Sequence, residues 1–95
     1  MSEKILTRHP RGKSGQNISR EKYDSVKKAI LAALEGSELT HSELMGKVEA
    51  RLRDRLDGNV HWYGETVKLD LEARRIIERT ESRPQKYRRR GRSLG

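Results

Sequence analysis

Apolar residues recur at helical spacing three times along the middle of the chain, and each run follows a residue suited to capping a helix. Tyr23, Val26, Ile30, Ala33 and Leu34 share one face, with Ala29 beside them. Ser19 precedes them as an N-cap and Gly36 follows, which predicts a helix over residues 20–35. Leu44, Val48 and Leu52 form a second stripe, flanked by Met45 and Leu56. The segment Thr40-His41-Ser42-Glu43 ahead of it has the capping-box pattern, predicting a helix over 41–55. Asp57-Gly58-Asn59 marks a turn, and Asn59 caps a third helix that reaches residue 74. Its apolar arc holds Trp62, Tyr63, Val67, Leu69, Leu71 and Ala73. The stripe left over, His61, Gly64, Glu65, Lys68 and Glu72, is expected to face solvent.

After the third helix the period changes. Arg75-Ile76-Ile77-Glu78-Arg79-Thr80 is β-branched and suits a strand, Ser82-Arg83-Pro84 supplies a turn, and Gln85-Lys86-Tyr87-Arg88 returns as a second strand. Leu39 can add a short strand beside this hairpin. Upstream, Ile5 and Leu6 suit a short strand or an arm packed back on the domain. Residues 7–15 are rich in turn formers and read as loop. The order is therefore helix, helix, helix, hairpin: a mainly α chain with a small β-hairpin. It divides into a basic arm (1–18), a folded domain (19–90) and a flexible tail (91–95).

Composition sharpens this picture. With 95 residues, 32% apolar and 38% charged, and no phenylalanine, the chain has room for one domain with a small core. It has no cysteine, which excludes disulfides and thiolate metal sites and fits a reducing cytoplasm. No segment approaches the ~20 apolar residues of a membrane span. The net charge of +8 is unevenly placed: residues 1–19 carry +3, residues 20–81 carry −1 and residues 82–95 carry +6. Cations segregated at both ends suggest an anionic polymer or surface as partner, against the plainer reading of a solubilising tail.

The stretch Thr66-Val67-Lys68-Leu69-Asp70-Leu71-Glu72-Ala73-Arg74-Arg75-Ile76-Ile77-Glu78-Arg79 resembles the third helix and first wing strand of winged helix-turn-helix proteins. Over roughly residues 5–90 the chain also resembles a family of small uncharacterised bacterial proteins. These share a His-Pro-x-Gly-Lys segment, here His9-Pro10-Arg11-Gly12-Lys13, and a Trp-Tyr pair, here Trp62-Tyr63. The resemblance implies a winged helix, three helices plus a wing, and implies no particular activity. Winged helices commonly place glycine after the third helix, where the backbone turns left-handed. Here Arg75 stands there, at a cost of about 1 kcal/mol if it adopts that conformation.

In such a fold the third helix enters the major groove and the wing meets phosphates. The stripe expected to be exposed offers Lys68 and His61 against Glu65 and Glu72, a poor surface for reading bases. The wing presents Arg83, Lys86, Arg88, Arg89 and Arg90, with Arg92 beyond, and the arm adds Arg8, Arg11 and Lys13 beside Gly12 and Gly15. Arginine forks suit phosphate oxygens. All these cations are expected to share one side of the molecule. Gly12-Lys13-Ser14 is no phosphate loop, because the pattern needs glycine where Thr7 stands. For Trp62 and Tyr63 core packing is favoured over base stacking, while Tyr87 suits either role. His9, His41 and His61 lack a ligand spacing. No nucleophile, base and orienting group cluster in sequence. The reading is a nucleic-acid binder, double-stranded DNA ahead of RNA, serving transcription regulation. It expects no enzyme activity, metal, cofactor, small-molecule substrate or membrane. The alternative is a protein-docking or dimerisation module.

Overall fold

Ser19 ends one element and starts the next. It closes strand β2 (Asn17–Ser19), which pairs antiparallel with β1 (Lys4–Leu6). Its hydroxyl then accepts from the Lys22 amide to cap helix α1 (Arg20–Ala33). The computed structural model describes residues 3–13, 15–56 and 58–90. The expected tail at 91–95, with Arg92, lies outside them, as do Ser14 of the Gly-Lys-Ser triplet and Asp57 of the turn before the third helix.

The remaining elements follow the expected order: β3 (Leu39–Thr40), α2 (His41–Leu52), α3 (Val60–Ala73), β4 (Ile77–Arg79) and β5 (Lys86–Arg89). Thr40 and Glu43 form the anticipated capping box, each side chain bonding the other's backbone amide. Asn59 caps α3 by accepting from the Trp62 amide. The first two helices end a little sooner than their apolar stripes suggest, α1 at Ala33 and α2 at Leu52, because turns take over the last carbonyls. Gly36 supplies the left-handed residue after α1, with φ of 67°.

The three helices pack around Val26 and Ile30 of α1, Leu44 and Val48 of α2, and Val67 and Leu71 of α3, all fully buried. Each contributes about 1.5–3 kcal/mol of burial. Ile77 and Tyr87 extend this core beneath a three-stranded antiparallel sheet ordered β3-β5-β4. In its register Tyr87 pairs with both Leu39 and Arg79. Ile18 joins the same core, so the N-terminal ribbon is stitched into the body of the fold. The architecture is α+β, with three helices and two small sheets among the described residues. Among those residues, no helix is long and apolar enough to cross a membrane.

Candidate nucleic-acid interface

The helix expected to read bases keeps its lysine inside. Lys68 is only 4% exposed, a correction to the solvent-facing stripe anticipated for it. Its ammonium bonds Glu72 Oε2 at 2.9 Å and the Tyr87 hydroxyl at 3.2 Å, and stands 4.3 Å from the Tyr87 ring centroid. The other Glu72 oxygen accepts from Arg79 Nε at 2.7 Å. A buried cation needs such compensation, and once compensated it has little left for a phosphate.

Nearer the start of α3 the surface is anionic and histidine-rich. Glu65 Oε2 lies 3.0 Å from His61 Nε2 and 3.5 Å from His41 Nε2, while His61 Nδ1 meets Glu49 Oε2 at 2.7 Å. The hydrogen bond to Glu49, then the charges of Glu65 and Glu49, hold the His61 ring above its ordinary value of 6.5. Sequence spacing concealed this arrangement, since His41 and His61 lie on different helices. Among the described residues, no group of three or more His, Asp or Glu side chains is arranged to hold a metal.

The arm is anchored where the sequence showed only loop. The Arg8 amide donates to Asp70 Oδ1 at 2.8 Å, the Tyr23 hydroxyl donates to Oδ2, and Arg74 Nε contacts both oxygens at 2.9 Å. Asp70 is fully buried. Burial first, then the hydrogen bond to Asp70, pushes the Tyr23 hydroxyl well above its ordinary value of 10.0. Thr7 and Gln16 close the base of the loop, with Thr7 N–H to the Gln16 carbonyl and Gln16 N–H to the Thr7 hydroxyl. A Cβ on Gly15 would collide with the Thr7 carbonyl, so glycine is required there. Further out, His9 accepts at its carbonyl from Gly12 N–H and at Nδ1 from Arg11 N–H. Arg8, Arg11 and Lys13 remain exposed around this turn.

Pro10 at the loop's tip forms one wall of a cleft of about 370 Å³ whose other walls carry Arg75, Arg79 and Arg90, with Glu72 and Glu78. Arm and hairpin thus meet, but the expected arginine cluster divides between surfaces. Arg90 lines this cleft. Arg88 is held by Glu78 at 2.7 Å and Glu38 at 3.3 Å, and with Arg89 it lines a separate hollow beside Leu34. Lys86 is half-buried in the strand pairing with Thr40, and Arg83 sits at the hairpin turn. Arg79 is paired with Glu72. Among the described residues, neither Arg75 nor Arg90 has a carboxylate partner.

Arg75 lies outside the two basic ends of the chain, and only its place directly after the third helix marks it in the sequence. Its φ is 63°, the left-handed conformation. Its amide bonds the Glu72 carbonyl and that of Ile76 bonds Leu71, the Schellman pattern that normally favours glycine. At a position where glycine would carry no penalty, the chain has an arginine that lines the cleft.

Trp62 also departs from expectation. It is 41% exposed rather than part of the core. Val67 and Leu71 occupy the inward side of α3, and Trp62, Thr66 and Leu69 fall toward the opposite side. The indole meets Tyr63 edge-on, with ring centroids 5.1 Å apart.

Over residues 4–87 the chain matches the Family of unknown function (DUF6958), and it belongs to that family. No curated protein and no solved structure matches it.

Proposed function

We propose that this member of the DUF6958 family is a winged-helix protein that binds nucleic acid, double-stranded DNA first, by holding the phosphate backbone between its N-terminal loop and its hairpin. The winged-helix reading is supported by the succession of α2 and α3, followed by a hairpin whose second strand lies between β3 and β4. The binding reading rests on one observation above the others. Arg75 and Arg90 stand on the wall of the cleft that Pro10 closes, beside an arm bearing Arg8 and Arg11, in a chain of net charge +8. A cation kept at a backbone position that favours glycine adds weight, since strain of this sort gathers at functional sites.

Backbone contact rather than base reading follows from the burial of Lys68 and from the outward side of α3, where Trp62, Thr66 and Leu69 bring no cation. Transcription regulation is the role such a binder would serve, and the assignment is to binding rather than catalysis. Affinity for a mixed-sequence duplex, measured at several salt concentrations, tests the proposal. A steep fall with salt is expected, and Arg75→Ala or Arg90→Ala should each lower the slope by about 0.9, the share of one neutralised phosphate. Salt-independent affinity, or no binding at low salt, would overturn it. The mixed-charge patch of His41, Glu49, His61 and Glu65 suits a protein partner better than phosphate. Co-purification of a tight partner without nucleic acid would favour that second reading.

A further inference from the structure

Between the arm and α3 lies a further, smaller hollow, and we propose that it is a nucleobase pocket, in which one unpaired base stacks on Trp62 while its phosphates continue into the arginine cleft. This rests on the nucleic-acid reading above and extends it from duplex to single-stranded substrate.

The hollow measures about 130 Å³. That is well below the ~300 Å³ at the lower end for drug-sized ligands, and leaves room for one flat ring. One wall is helical: Trp62, Thr66 and Leu69. The other is the arm, where Arg8, His9 and Gln16 bring polar groups. Among the described residues, no carboxylate lines it. Aromatic platform, basic and amide rim, and no anion form a combination suited to a nucleotide, since every base offers a flat face to an indole and its phosphate needs a cation nearby.

Both walls are fixed before any ligand arrives. Tyr63 holds the indole edge-on, and the Tyr63 hydroxyl accepts from Lys22 Nζ at 3.3 Å. The arm is tied by Thr7 to Gln16 and by the Arg8 amide to buried Asp70. A rigid platform loses little freedom on binding. The two cavities are neighbours through adjacent residues: His9 lines the smaller hollow and Pro10 the arginine cleft. In this proposal a strand whose backbone follows Arg75 and Arg90 would place a base in the hollow that His9 lines. A large apolar side chain left 41% exposed gains a role by this arrangement that core packing does not give it.

Trp62 is the chain's single tryptophan, so its emission reports on this pocket alone. The full chain is titrated at low salt with oligo(dT) and, separately, with a mixed-sequence duplex. Oligo(dT) is expected to quench the emission strongly, whereas the duplex should bind with little quenching. Trp62→Ala should weaken oligo(dT) binding about tenfold and leave duplex affinity within about twofold, with Trp62→Phe restoring most of the affinity. Duplex binding without quenching by oligo(dT), and with Trp62→Ala unchanged on both, overturns the pocket but leaves the cleft reading standing. Failure of wild type to bind either polymer overturns both. An emission shift that grows with protein concentration in the absence of nucleic acid means a second copy covers Trp62, and that also overturns the pocket.

Discussion

The backbone amide of Arg8 donates to the buried carboxylate of Asp70 across 2.8 Å, a direct tie between the arm and α3. That carboxylate also satisfies Tyr23 and Arg74. Removing it leaves a guanidinium, a hydroxyl and an amide without their shared acceptor. Asp70→Ala is expected to cost about 3 kcal/mol in urea denaturation. Hydrogen exchange at the Arg8 amide should accelerate in the same variant, because the tie itself is gone. A change below about 0.5 kcal/mol would mean that water or neighbouring groups take over the bonds.

Arg75 allows stability and binding to be separated. In Arg75→Gly the left-handed φ of 63° no longer carries a side-chain penalty, and the domain should gain about 1 kcal/mol. Duplex affinity should fall at the same time, with a shallower salt slope. A residue serving only to end the helix would give the gain in stability with affinity unchanged. Denaturation and salt-dependent binding on one preparation distinguish the two.

The helices and hairpin were legible because their signals are local: caps at Ser19, Thr40 and Asn59, and apolar stripes at regular spacing. What failed to show was the third dimension around α3. Periodicity gave it a broad apolar arc including Trp62 and Leu69, yet the core needs only a narrower band centred on Val67 and Leu71. The arc's margin was therefore turned outward, and Lys68 was drawn in by Glu72 and Tyr87. Asp70 and Arg74 had the spacing of a helical ion pair, a sign that could have been read. The amide of Arg8 as a third partner lies 62 positions away and had no sequence signature. The segregated charge did not mark which cations meet: the arm reaches the cleft through uncharged Pro10, Arg75 comes from the near-neutral middle segment, and Arg83, Arg88 and Arg89 lie elsewhere.

Lys68 gives the contrasting test. Lys68→Ala leaves a cavity beside Tyr87 and leaves Glu72, itself largely buried, with Arg79 as its remaining cation. A destabilisation of about 2–3 kcal/mol is expected in denaturation. Under conditions where the variant stays folded, its duplex affinity and salt slope should match wild type. A selective fall in affinity for one duplex sequence would instead show Lys68 reaching bases, and would require the helix to open toward the groove.

His61 ties α3 to α2 through Glu49, and its ring is held above its ordinary 6.5 by that bond and by the charge of Glu65. A histidine whose folded value is raised stabilises the fold most fully below its unfolded value, where both states are protonated. The contribution then fades as pH rises through the higher folded value, where the ring loses its proton and Glu49 and Glu65 face each other with less positive charge between them. Thermal midpoints should accordingly fall between about pH 6 and pH 8 in the wild type. His61→Gln should flatten that fall, because glutamine can hydrogen-bond a carboxylate but carries no titrating charge. His41 also approaches Glu65, at 3.5 Å. Should the wild type and His61→Gln follow parallel pH curves, the pairing with Glu49 contributes nothing measurable in solution, as exposed pairs often do not.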